Sequence, residues 1–383
     1  MIRTDSTRGR IALMVAHCAG MIDLVALPVW VGTLVARYRF DPQQAGALAT
    51  LFLAGAVLAS VLLAPRFHRL PGRTVAALGF AISTVGFALA ARSTAFEALA
   101  PLHALCGLAT GAALSVTHGT IARSARPHRL FAIVGAALGV FAVIFFAAAP
   151  QIIAAVGGPA LFGIFSAVMA AAALAALLAF PAPDGLADAS ASASAPLPRA
   201  VWFGIAGVAC MALVQAMTFS FLERVGSDHG FGATAVNGVL VALGLVNLTP
   251  ALLAALLEDR WQPRAVLLAG PVAQAVLVAV MMNASVFAPY AAAASVFAAV
   301  MIFTHTFAFG LLARLEPSGR ALAATPAMMM VGAAIGPVLG GTLVKSFGYG
   351  SLSVAAACIA AVAVFCFSRL PASAPDASRS ALA

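Results

Sequence analysis

The stretch IALMVAHCAGMIDLVALPVWVGTLVA, residues 11–36, decides what kind of molecule this is. Its only acidic side chain is Asp23, and it has no Lys or Arg. As a helix rising about 1.5 Å per residue, a run of this length crosses a hydrocarbon core of about 30 Å. It follows a charged tail with Arg3, Asp5, Arg8 and Arg10. It is too long for the core of a secretory signal, and no small-residue cleavage site precedes polar mature sequence, so it is expected to stay in the protein.

Outward from this run, similar segments recur at roughly 45–65, 74–92, 97–122, 130–154, 159–180, 201–222, 233–257, 265–283, 287–313, 321–344 and 350–368. Short charged or Pro/Gly-rich breaks separate them. The whole chain is 63% hydrophobic and 9% charged, with a mean hydropathy of +1.05. A soluble domain carries about a quarter charged residues, so a water-soluble fold is excluded. The expected fold is an all-α integral membrane protein of twelve transmembrane helices.

A net charge of +9 could suggest nucleic acid as a partner. The positions of the basic residues point elsewhere. With the amino terminus inside, sixteen of the 21 Lys and Arg residues fall on the cytoplasmic side, and only Arg37, Arg39, Arg92, Arg224 and Lys345 fall on the other. That asymmetry is the positive-inside pattern and puts both termini in the cytoplasm, so the partner is a lipid bilayer and no nucleic acid is expected. Twenty Arg against one Lys, with heavy Ala use, suggests a GC-rich bacterial source and hence the bacterial inner membrane, multi-pass. The five cysteines, Cys18, Cys106, Cys210, Cys358 and Cys366, lie within expected helices at no metal or disulfide spacing, and read as small packing residues. No metal and no cofactor are expected.

The segment PAPDGLADASASASAPLPRA, residues 181–200, has the composition of a flexible linker. It divides the chain into an amino-terminal six-helix bundle (1–180), a cytoplasmic linker (181–200) and a carboxy-terminal six-helix bundle (201–383). GTIARSARPHR (119–129) falls on GLLARLEPSGR (310–320) at an offset of 191, and Gly46 falls on Gly238 at 192. Two nearly equal offsets indicate a duplicated unit and two pseudo-symmetric halves. The loop after the second helix reads APRFHRLPGRT (64–74), with Arg69, Gly72 and Arg73, and its counterpart reads ALLEDRWQPR (255–264), with Asp259, Arg260 and Arg264.

These two loops resemble the signature loops of the major facilitator superfamily (MFS), with Ala64 and His68 departing from the pattern in the first and both glycines replaced in the second. With twelve spans and a central linker, the resemblance covers nearly the whole chain and is nearest to bacterial drug and metabolite efflux members. It implies two bundles of parallel repeats with substrate near the midplane between them. It also implies a monomer and a conformational latch built from Arg69, Gly72, Arg73, Asp259, Arg260 and Arg264. The stretch GAAIGPVLGG (332–341) in the eleventh helix, with Gly332, Gly336, Pro337, Gly340 and Gly341, resembles the glycine-rich antiporter signature that the superfamily carries in its fifth helix. Close helix packing accounts for these residues without any antiport role.

Of the twelve acidic residues, only Asp23 stands inside a span; Glu223 is placed at the end of the seventh. A carboxylate at that depth costs at least about 2.5–3.5 kcal/mol and calls for a cavity or a partner, which makes Asp23 a candidate proton or cation site. At about 3.6 residues per turn, Ala16, Ala19, Gly20, Asp23, Leu27 and Trp30 share a face that could line a pocket. Asp23 maps by the repeat onto Gln215, which is expected to face it. In the family the first, fourth, seventh and tenth helices line the cavity, which adds Thr110, Phe219 and His305, with His305 as a proton-exchange partner of Asp23. The expected substrate-binding set is therefore Asp23, Trp30, Thr110, Gln215, Phe219 and His305.

No reactive constellation for an enzyme and no phosphate-binding loop for ATP-driven transport is found. The expected function is secondary transport of a small amphipathic or weakly basic molecule, driven as export by the proton gradient. The alternative is uptake of a small neutral metabolite by proton symport or facilitated diffusion.

Overall fold

The computed structural model describes residues 2–63, 70–182, 197–258, 260–316 and 320–371, without the side chains of His128 and residues 320–328. Among these residues there are fifteen helices and no strand. In order they are α1 (Thr7–Gly20), α2 (Ile22–Arg37), α3 (Pro42–Leu63), α4 (Gly72–Ala90), α5 (Phe96–Ala122), α6 (Pro127–Val156), α7 (Pro159–Ala179) and α8 (Arg199–Phe219). They continue with α9 (Leu222–Asp228), α10 (Ala233–Val246), α11 (Pro250–Leu257), α12 (Pro263–Asn283), α13 (Phe287–Leu315), α14 (Arg320–Phe347) and α15 (Gly350–Ser368). They form twelve segments long and apolar enough to cross a membrane. Each expected span is present, and three are broken: the first at Met21, the seventh at Ser220 and Phe221, and the eighth at Asn247–Thr249.

The duplication is visible in backbone detail. Arg39 and Gly230 adopt positive φ in equivalent loops, at 59° and 79°, and Gly157 and Gly348 do so at 105° and 75°. Each pair is separated by 191 residues. Arg73, in the first turn of α4, donates from Nε to the Leu177 carbonyl near the end of α7 at 2.8 Å. Arg264, 191 residues on, donates to the Ser368 carbonyl at the end of α15 at 2.9 Å. Both place a cation where a helix leaves its last carbonyls without partners.

Among the described residues the two six-span halves meet chiefly where α3 packs on α14, α6 on α10, and α2 on both α8 and α9. At the end opposite the termini the first of these is close enough to exclude side chains. A Cβ on Gly46 would lie 2.6 Å from the Pro337 carbonyl carbon, and one on Gly341 would lie 2.7 Å from that of Pro42. Thr50 Oγ1 accepts the Val338 N–H at 3.1 Å. Beyond these, Lys345 Nζ reaches Asp41 Oδ2 at 2.9 Å and Gln43 Oε1 at 3.3 Å. Toward the termini the broken spans leave the other half: α1 packs on α5, α6 and α7 of its own half, and α11 on α13. The breaks at Met21 and Asn247–Thr249 therefore mark where the halves part.

The glycines of the eleventh span serve two neighbours. Gly332, Gly336 and Gly340, spaced four apart, lie against the α8 backbone at Ala209–Leu213 and Ala216–Met217, while Pro337 and Gly341 face α3. Small residues are what such close approaches need.

A Gly341→Val change puts its side chain into the backbone of the other half, a misfit of about 1–3 kcal/mol. A cysteine placed at Thr50 in a background without the native cysteines is expected to react on the order of tenfold faster with a membrane-impermeant maleimide. Gly163→Ala, which meets nothing within 4 Å, is the control that leaves the rate unchanged. Burial alone would raise the Asp41 carboxyl, but the backbone N–H of Gln44 and the Lys345 ammonium hold it below its ordinary value. Its contribution to closing this end is thus present above the ordinary carboxylate range and is lost as pH falls through the lowered value. Because the pair is partly exposed, the effect is expected at about 0.5 kcal/mol and to shrink with salt, which spin-label distances across this end would read as a small acid-induced opening.

Candidate functional site

Met21 has φ −107° and ψ 20°, which ends α1 and starts a second helix in mid-span. The break leaves the first N–H groups of α2 without intrahelical partners. Asp23 is the second residue of α2 and so stands in the first turn, beside that amino terminus. It is 4% exposed, and among the described residues no side chain pairs with it. An anion at a helix amino terminus is favoured by those N–H groups and by the positive end of the helix dipole. Local helix chemistry, and not a basic partner, is what accommodates this carboxylate in the span.

The remaining expected site residues scatter. Trp30 is fully buried inside the amino-terminal half, edge-on to Phe52 and Phe165 at 5.4 and 4.9 Å and tilted over His103 at 5.5 Å. It lines no pocket between the halves. The helical face drawn from Ala16 to Trp30 assumed one straight helix, and α2 instead packs on α3, α6, α7, α8 and α9. Leu24, not Asp23 or Trp30, is the exposed position of this stretch. Thr110 is likewise interior, sharing a 2.8 Å hydrogen bond with Ser83 of the third span. Gln215 turns into its own half, where Oε1 accepts from Gln274 Nε2 at 3.1 Å, so it does not face Asp23. Phe219 is 5% exposed and belongs to the main core cluster.

His305 hydrogen-bonds through Nδ1 to the Met301 carbonyl one turn back, at 2.8 Å, and packs on Phe309. His103 does the same with Leu99 at 2.7 Å. Neither ring is bonded to Asp23.

Of the expected latch, Arg69 and Asp259 lie outside the described residues. Arg260 is exposed. Gly72 lies in ordinary contact with Phe180. Arg73 and Arg264 bond within their own halves, third span to sixth and ninth to twelfth, and neither bridges the halves. Among the described residues the halves are joined at the opposite end.

Two features escaped sequence reasoning. Glu223 does not end the seventh span: α9 carries the chain on to Asp228, and Glu223 is its second residue, as Asp23 is of α2. Ser227 Oγ donates to Glu223 Oε1 at 3.1 Å, and Oε2 rests on Gly32 of α2, across the boundary between halves. The late position of the chain-breaking Gly230 and Gly232 is the signal that could have extended this span. The second feature is a hydrogen bond between His17 Nδ1 of α1 and His118 Nε2 of α5, at 3.0 Å with ring centroids 5.2 Å apart. They stand 101 residues apart in sequence, and nothing local announces the pairing.

No curated protein sequence matches the chain. Its fold is similar to that of a D-xylose-proton symporter, with a TM-score of 0.74 at 15% identity over 95% of this chain and 97% of that one. It is also similar to a bacterial homologue of the human lysosomal transporter Spinster (0.73, 15%, 94% and 94%) and to the nucleoside transporter NupG (0.72, 17%, 94% and 97%). The family model described as Major Facilitator Superfamily matches residues 12–318 and 208–382. With twelve spans, a duplication repeated down to its helix-capping arginines, and family matches that together span nearly its whole length, the chain belongs to the major facilitator superfamily and is a membrane transporter, not an enzyme.

Proposed function

We propose that this transporter exports a small amphipathic or weakly basic organic molecule in exchange for protons, with Asp23 as the site that proton and substrate occupy in turn. The observation that carries the reading is the carboxylate of Asp23 at the amino end of α2, where the first span breaks and the halves begin to part. Protonated, the carboxyl is a neutral group compatible with a closed hydrocarbon surround; ionised, it attracts a cationic amine. Alternate occupancy couples the two fluxes without a cofactor, the proton gradient being the energy source.

Among the described residues no Lys or Arg is buried. An anionic substrate would enter this interior without a counter-charge, which disfavours sugar phosphates and organic anions. With the chain as a monomer in the inner membrane of a bacterium and both termini cytoplasmic, as the distribution of arginines favours, the arrangement described above is the inward-facing one. Glu223 on Gly32 and Lys345 on Asp41 then close the periplasmic end.

Uptake of a small neutral metabolite is the second reading, favoured by the likeness in fold to a D-xylose-proton symporter and a nucleoside transporter. Liposomes loaded with a pH-sensitive dye and given a panel of lipophilic weak bases and neutral metabolites separate the two. Export by exchange predicts that a weak base moves against an opposing proton flux, and that Asp23→Asn lowers gradient-driven movement by on the order of tenfold or more, a loss of about 1.4 kcal/mol or more of coupling. If Asp23→Asn moves the base up its gradient at the wild-type rate, the mechanism is wrong; co-directional movement of a neutral metabolite and protons would favour uptake.

A further inference from the structure

His17 and His118 are the one pair of histidines among the described residues that bond each other. His103 and His305 each spend Nδ1 on the carbonyl four residues back, a local arrangement that satisfies the ring inside its own helix. The His17 and His118 rings have no such bond. His17 is buried at 6% exposure and His118 is half-buried, so the pair is reached from the His118 side.

The surroundings add little charge. α1 also carries Arg8, Arg10 and Cys18, α2 carries Asp23 and Arg37, and α5 carries Glu97, His103 and Cys106. α6 has His128 and Arg129 in its first turn and sets Phe131 edge-on to His118 at 5.8 Å, and α7 has no ionisable side chain. Apart from His128, whose side chain lies outside the described ones, none of these groups hydrogen-bonds or ion-pairs with either ring.

Two neutral imidazoles share one N–H between them. If His17 Nδ1 holds that proton, His17 Nε2 is free to accept another, and the bridge becomes the stronger, charge-assisted kind. The bridging proton can then cross to His118 Nε2, and His118 can release its Nδ1 proton. One proton enters, one leaves and one moves between the rings, with no change in net charge. A second added proton would set two N–H groups against each other and break the bond, so the capacity is one.

Asp23 stands six positions after His17, across the break at Met21, and His17 is the nearer to the termini. We propose that His17 and His118 form a one-proton relay on the terminus side of Asp23, through which Asp23 exchanges its proton while the halves are parted at that end. This rests on the reading of Asp23 as the coupled site.

The test needs no substrate. In the full chain, labelled with 15N-histidine and held in lipid nanodiscs, wild type is expected to show a nitrogen–nitrogen coupling across the His17–His118 bond. The two rings should titrate together as one unit, taking up one proton between them. Infrared detection of the Asp23 carboxyl band after a pH jump is then expected to show its protonation slowed at least about tenfold in His17→Gln/His118→Gln, where the amides can keep a hydrogen bond but hold no proton. An unchanged rate in that variant, or two rings that titrate independently, overturns the relay. A wild-type Asp23 band that never titrates overturns the reading of Asp23 instead, whatever the histidine spectra show.

Discussion

A backbone N–H in hydrocarbon has no water to turn to, and this single constraint arranges most of what matters here. It makes every span a helix, and it makes each interruption of a helix a special place. The chain interrupts three spans, at Met21, at Ser220 and Phe221, and at Asn247–Thr249. In two of them an acidic residue is the second residue of the helix that resumes, Asp23 in α2 and Glu223 in α9. A carboxylate and a newly opened helix amino terminus offset each other's cost, which explains how two acids are held in an interior where, among the described residues, no Lys or Arg is buried.

The same interruptions divide the molecule mechanically. α2 touches α8 and α9 of the other half, whereas α1 stays with its own. α10 touches α6, whereas α11 does not share that contact. A rigid, unbroken span would have to follow one half along its whole length. A broken one can seal the end opposite the termini and leave the other end apart. Glycine makes the seal possible: Gly46 and Gly341 let α3 and α14 meet backbone to backbone, and the other glycines of the same span hold it to α8. One helix thus carries both the packing within a half and the closure between halves.

Periodicity and charge made the spans legible because both are summed over some twenty residues, and no single substitution hides them. The duplication was legible from a few matched residues and reappears as capping arginines and positive-φ positions with the same spacing. The site was less legible. The face drawn through Ala16, Asp23 and Trp30 assumed an unbroken helix, and the one local mark of a break, Gly20 before Met21, reads equally as a packing glycine. Thr110 and Gln215 had the right composition for a cavity wall, but rotation about a helix axis decides whether such a residue meets a cavity or a neighbour, and hydrophobic patterning inside a membrane fixes that rotation weakly. The bond between His17 and His118 depends on bringing two spans together across 101 residues, information that no local pattern contains.

The matched bonds of Arg73 to Leu177 and of Arg264 to Ser368 have a consequence for the lipid as well as for the protein. Each ties a pair of helices, third to sixth or ninth to twelfth, that packs within its own half and so forms the flank of the molecule. A flank clamped to itself travels as one piece. When the halves tilt, the acyl chains beside these helices meet the same surface at a new angle and need not solvate a new one, so the bilayer is asked to bend and not to rewet.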